Sequence, residues 1–101
     1  MIIVTAHARL KPEARDTAIA AATRMREASI AEPGCQEYGF WFAFDDPHSL
    51  LVYERWDDQE ALDFHFTTPH LAEFAKSIPE WVDGMPEITR IVVESAGPLG
   101  G

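Results

Sequence analysis

His65 sits in the run Phe64-His65-Phe66-Thr67-Thr68-Pro69-His70, where one helix signal ends and another begins. Asp57 and Glu60 have capping-box spacing, which predicts a helix start at that point. Thr68-Pro69 is a second start: a hydroxyl N-cap, then proline at the first helical position. Histidine is the side chain whose unperturbed pKa lies nearest neutrality. Among Phe64, Phe66, Leu71 and Phe74, His65 is a candidate proton acceptor at the edge of an apolar pocket. A core-edge histidine bonded to a backbone carbonyl is the plainer reading of the same residues. His7 is the competing base, since it could face the interior of a sheet. His48 lies in a solvated turn. His70 falls in the first turn of the second helix, where the positive dipole end disfavours a charged ring.

The second chemical signal is aromatic. Three tryptophans and six phenylalanines are many for 101 residues, and they exceed what a minimal core needs. Some of them should line a slot for a flat aromatic ligand or an interface between subunits. Trp56, Phe64 and Tyr53 are candidate walls, with His7 and His70 as further binding candidates. Strand alternation separates Tyr53 from Trp56, so both cannot face one pocket by simple parity. Trp56 is favoured because it leads into the helix that bears His65.

Other chemistries find no support. His65 and His70 are five apart, which is not the helical metal-pair spacing, and no paired-cysteine motif is present, so no metal is expected. There is no nucleophile elbow around any serine. Cys35 follows a Pro-Gly turn and reads as a small buried group. The glycines do not cluster between a strand and a helix, so no nucleotide or flavin cofactor is expected.

A chain of 101 residues with 47% hydrophobic content is one domain with one core. The net charge of −9, with eight scattered basic residues, argues against nucleic acid and anionic membrane surfaces. One cysteine excludes an intrachain disulfide and fits a reducing compartment. No basic leader or membrane-length apolar run is seen, so a cytoplasmic protein is expected.

The elements that would position these residues follow from periodicity. Met1 to Leu10 alternates as a strand, with Ile2, Val4, Ala6, Ala8 and Leu10 on the face under helices. Lys11-Pro12-Glu13 opens a helix that runs to about Glu32, its narrow face made of Ala18, Ala21, Ala22, Met25 and Ser29. Glu32-Pro33-Gly34 stops it. Strands follow over 35–44 and 49–56, joined at Asp45-Asp46-Pro47. A helical region covers 57–82 and must end or kink at Pro79. Asp83-Gly84-Met85-Pro86 reads as a loop, and the last strand spans 87–94. The order β-α-β-β-α-β predicts an α+β, ferredoxin-like domain over 1–95, with residues 96–101 as a flexible tail. Its four-stranded antiparallel sheet carries both helices on one face. The uncovered face predicts a homodimer.

The chain resembles the antibiotic biosynthesis monooxygenase (ABM) domain family, nearest the quinol monooxygenase-like members. The segments that carry the likeness are Arg9-Leu10-Lys11-Pro12, Glu32-Pro33-Gly34-Cys35-Gln36-Glu37-Tyr38, Glu54-Arg55-Trp56, Ala61-Leu62-Asp63-Phe64-His65 and Thr67-Thr68-Pro69-His70. The resemblance implies a ferredoxin-like subunit paired sheet to sheet in a dimeric α+β barrel. It also implies oxidation of an electron-rich aromatic, a quinol or a polyketide anthrone, by dioxygen without a cofactor. Haem-degrading members use an Asn-Trp-His set, and this chain has no asparagine. The expected function is therefore a cofactor-independent monooxygenase with His65 as base. The alternatives are a non-catalytic dimeric barrel that binds a small aromatic or serves in a stress response, and an isomerase or decarboxylase-like activity on a polyketide.

Overall fold

In the computed structural model, which describes residues 1–100, β1 (Ile2–Leu10) leads through a single 3-10 turn (Pro12–Ala14) into α1 (Arg15–Ile30). The hairpin β2 (Cys35–Ala43) and β3 (Asp46–Trp56) follows, then α2 (Gln59–His65), α3 (Pro69–Trp81) and β4 (Val82–Val92). The strands form one antiparallel sheet in the order β2-β3-β1-β4. This is the expected ferredoxin-like arrangement, with the second helical region split in two at His65. No helix among the described residues is long and apolar enough to cross a membrane.

The alternation in β1 does what its sequence predicts. Ile2, Val4 and Leu10 are buried against the helices with Met25, Tyr38, Leu50, Trp56 and Leu62. The small residues Ala18, Ala21, Ala22 and Ser29, with Met25, form the buried face of α1, so the helix lies close to the sheet. The other face of the sheet carries Ile3, Thr5 and His7 of β1 beside Tyr53 and Leu51 of β3. Trp41 stands there edge-on to Tyr53, ring centroids 6.3 Å apart, and remains 47% exposed.

Several boundaries differ from expectation: β3 begins at Asp46 rather than residue 49, and β2 and β4 end at Ala43 and Val92 rather than 44 and 94. The helix cap is Asp58, whose carboxylate accepts from the Ala61 backbone N–H, rather than Asp57. Asp57 is occupied instead by Gln36, which donates to its carboxylate at 2.9 Å. β4 begins at Val82, directly from α3, so residues 83–86 belong to the strand. Pro86 is tolerated because β4 is an edge strand, where a missing N–H breaks no ladder on its open side. The strand pairing shifts between His7 and Arg9, which accommodates Gly84 at φ 81°. Pro79 lies inside α3 only two residues from its end, so it neither ends nor splits the helix. No helix or strand follows Val92 among the described residues; residue 101 of the expected tail lies outside them.

Candidate active site

The sharp turn between α2 and α3 buries His65 to 1% exposure. Its ring stacks obliquely on Trp56, centroids 4.6 Å apart, and stands 5.7 Å from the Tyr38 ring. Glu32, in the loop after α1, is also buried. Its Oε2 lies 2.7 Å from His65 Nδ1 and 2.7 Å from His70 Nε2. A carboxylate only accepts, so each ring presents an N–H at that contact. Neutral His65 is then the Nδ1–H tautomer, and Nε2 keeps the lone pair. Burial lowers the His65 pKa below 6.5, against the hydrogen bond and charge of Glu32, which raise it; His70 lowers it further. The ring is therefore neutral at physiological pH, with a carboxylate at Nδ1 placed to stabilise a charged ring.

Beside this pair runs an apolar cavity of about 160 Å³ between the sheet and the helices. Val4, Ala6 and Ala8 of β1 form its floor, and Leu62, Leu71 and Phe74 part of its roof. Phe66 and Ile88 on its wall are 61% and 66% exposed, which marks its mouth. The polar residues on the wall are Tyr38, Glu54, His65 and Trp81.

Glu54 comes to this cavity by strand parity, two residues before Trp56. The Trp56 indole N–H donates to Glu54 Oε1 at 3.0 Å. Burial pushes the Glu54 carboxyl up to about 7, against hydrogen bonds from Trp56 and Tyr38 that lower it. The folded protein thus binds this proton more tightly than the unfolded chain, whose value is near 4.5. Its contribution to stability is present below that value and is lost as pH rises through about 7. Glu54→Gln is accordingly expected to raise the thermal midpoint at about pH 8 and to change it little at about pH 5. Thermal melts at both pH values check this; an equal change at each would mean that the carboxyl's ionisation is not the cause.

The structure separates the residues that the sequence groups together. His65 lines the cavity. Trp56 is wholly buried behind His65 and holds Glu54 rather than forming a wall. Phe64 points outward and is 51% exposed; Phe66 takes the wall position instead. Tyr53 and His7 lie on the opposite face of the sheet. His70 does not line the cavity but reaches the site through Glu32. Sequence reading missed Glu32, Glu54, Tyr38 and Trp81. Only Glu54 carried a signal: it shares strand parity with Val52 and Leu50, a charged residue on the face that must be buried.

Glu32, His65 and His70 also form a two-nitrogen, one-oxygen donor set whose atoms lie within 4.8 Å of one another. The third donor, Glu32, is what the His65–His70 spacing alone could not reveal. In the structure both rings approach the same carboxylate oxygen at 2.7 Å. Ligands around one zinc ion, with bonds of about 2.0–2.2 Å, stand roughly 3.3 Å apart in a tetrahedron. The rings would have to part to admit a metal; as placed, they are hydrogen-bond donors.

A ferredoxin-like sheet with an apolar cavity under its helices and a carboxylate-backed histidine at the wall defines a small-molecule site. The chain belongs to the antibiotic biosynthesis monooxygenase family, whose model matches residues 1–77. An uncharacterized protein of Synechocystis is 34% identical over 86% of this chain, which spans 59% of that relative's length. Bacillus subtilis YcnE, whose name gives it provisionally as a monooxygenase, is 27% identical over 89% of this chain and 95% of its own. The solved structure of Rv0793 from Mycobacterium tuberculosis superposes with a TM-score of 0.89 at 25% identity, over 96% of this chain and 98% of that one.

Proposed function

We propose that the protein is a cofactor-independent monooxygenase that oxidises a quinol with dioxygen. The observation that carries this reading is the Glu32–His65 pair, which fixes the histidine tautomer with Nε2 as the free basic nitrogen beside an apolar cavity. Nε2 takes the proton of an aromatic hydroxyl, and the resulting anion is electron-rich enough to reduce dioxygen by one electron. Recombination of the radical pair forms a carbon–oxygen bond to the ring. The imidazolium returns its proton to the bound peroxide. Loss of the ring C–H proton and cleavage of O–O then release water. A hydroquinone and one dioxygen give a hydroxyquinone and one water, with four electrons passing from ring to oxygen. The residues required are a base, its orienting carboxylate and apolar walls that exclude water; no cofactor enters the scheme.

The volume bears on the substrate. About 160 Å³ is comparable to an apolar cavity of about 150 Å³ that holds one benzene. One ring fits inside, or two with part of the second in the open mouth, so quinols suit it better than three-ring anthrones. Oxygen uptake with a panel of quinols and anthrones tests the reading. Uptake with the quinols, abolished in His65 variants, is expected; no uptake with any of them would return the protein to the non-catalytic binding reading.

The active unit in this proposal is a homodimer joined through the helix-free faces of two sheets. Trp41, Tyr53, Ile3 and Leu51 lie on that face, and Trp41 and Ile91 are 47% and 41% exposed. An obligate contact of this kind buries roughly 2,000 Å² or more. Sedimentation at micromolar concentration should give twice the chain mass, and Trp41→Glu should shift it toward the monomer. A wild-type monomer would count against the assembly.

A further inference from the structure

We propose that Glu54 reads a second oxygen on the substrate: its carboxyl O–H donates to an oxygen carried by the same aromatic ring whose hydroxyl His65 deprotonates. The proposal rests on the monooxygenase reading and narrows its substrates to rings with oxygen at two positions. Glu54 and His65 both line the cavity. The sealed polar atoms without a partner among the described residues are Ser29 Oγ, Glu32 Oε1 and Trp81 Nε1. Glu54 Oε2 and His65 Nε2 are not among them, so these two atoms meet the free space of the cavity. The two groups also stand close together, because both rest on Trp56. The His65 ring lies against the indole, centroids 4.6 Å apart, and the indole N–H holds Glu54 Oε1 at 3.0 Å. Glu54 and Trp56 are two residues apart on one face of β3, roughly 7 Å along the strand. One ring with two oxygens spans such a gap through a hydrogen bond at each end, and the cavity of about 160 Å³ has room for one ring.

What Glu54 offers there is a proton. No Lys or Arg forms an ion pair with it among the described residues. The titratable groups around it come from every neighbouring element: Tyr38 across β2, Arg90 in the same row on β4, His65 on α2, and Glu32 and Cys35 on either side of the turn after α1. The Arg90 guanidinium is committed elsewhere, donating to Gln59 Oε1 at 2.7 Å. Burial, with the charge of Glu32, pushes the Glu54 carboxyl up to about 7. A neutral carboxyl that accepts from Trp56 and Tyr38 still has its own O–H to donate. An oxygen on the guest supplies the acceptor. Once ionised, the carboxylate can only accept. A quinol hydroxyl serves both states, accepting from the acid and donating to the carboxylate, whereas an ether oxygen serves only the acid.

The test pairs 2-, 3- and 4-methoxyphenol with 2-, 3- and 4-ethylphenol, in which a methylene replaces the ether oxygen. Each pair keeps the hydroxyl for His65, so protonation there cancels between its members. All are titrated calorimetrically under nitrogen, which prevents turnover. At about pH 5.5 the wild type should bind the methoxyphenol of at least one pair about 3–10-fold more tightly than its isostere, the worth of one ordinary hydrogen bond. At about pH 8.5 that preference should vanish, since the carboxylate has no proton to give. Glu54→Gln carries a permanent N–H donor and should keep the preference at both pH values, and Glu54→Leu should lose it at both. If Glu54→Leu does not fold, the wild-type pH dependence and Glu54→Gln still decide. Equal affinity within every pair, or a wild-type preference that survives unchanged at about pH 8.5, overturns the assignment. Oxygen uptake with quinols alongside such a result leaves the monooxygenase reading standing. A methoxy preference without uptake on any quinol overturns that reading instead and keeps Glu54 as the group that recognises the ligand.

Discussion

His65→Ala is expected to lower kcat/KM for a quinol substrate by about 10²–10⁴-fold, the usual worth of a positioned general base. The expectation follows from one nitrogen. Nδ1 is committed to Glu32 at 2.7 Å, so Nε2 is the only ring atom left to accept a proton. The same burial changes what the substitution does to stability. Alanine leaves a void against Trp56 and removes one of the two donors to a buried carboxylate, so a drop in thermal midpoint should accompany the loss of rate. His65→Gln separates the two effects. Its amide can still donate to Glu32, so most of the stability should return, whereas an amide is no base and the rate should not. Steady-state oxygen uptake and thermal melts on both variants decide the matter. Substantial activity in His65→Gln would show that another group takes the proton.

Glu32→Gln should be almost as damaging, although Glu32 does not line the cavity. Turning the carboxylate partner of a catalytic histidine into an amide costs about 10⁴-fold in serine proteases, because the ring settles in the wrong tautomer. Here a loss of about 10²–10⁴-fold is expected on the same ground. The pH profile distinguishes this from general damage. The base works when unprotonated, so activity rises from acid to a plateau, with its midpoint below 6.5 because burial depresses the His65 pKa. The hydrogen bond and charge of Glu32 oppose that depression. Removing them should move the midpoint to still lower pH while the plateau falls. A midpoint that stays put or moves upward would mean that Glu32 does not act through His65.

The fold was legible in the sequence because each element carries its own period. Alternation in Ile2 to Leu10, the small-residue stripe of α1 and the Thr68 cap after His65 are local signals, and tertiary structure did not override them. The misread segments are those whose conformation depends on a neighbour. Gly84 and Pro86 read as a loop by composition, and only the open edge position of β4 makes a strand there acceptable. Half of the site was hidden for a related reason. His65 announces itself by its setting, but Glu32 is 33 residues away and looks like an ordinary charged residue at a helix stop. The pairing of Glu32 with His65 can be assigned only once the loop after α1 is placed against α2. Trp56 carries the opposite lesson: its position beside the site was legible, but a fully enclosed indole supports other groups instead of touching a guest.

The loop after α1 meets α2 with no clearance. Gly34 adopts φ 83°, and a Cβ built on it would lie 2.6 Å from the Ala61 methyl group. The Gly34 carbonyl also accepts from the Asp57 backbone N–H at 2.8 Å, just ahead of α2. Glu32 lies two residues before this contact, and His65 one helical turn beyond it. Gly34 and Ala61 thus act as a machined seat that sets how far apart the acid and the base are held. For anyone altering this protein, the useful freedom lies at the cavity mouth, around Phe66 and Ile88, where substituents can grow into open space. A larger residue at position 34 or 61 would act as a shim, lifting α2 from its bed and lengthening a hydrogen bond that neither residue makes.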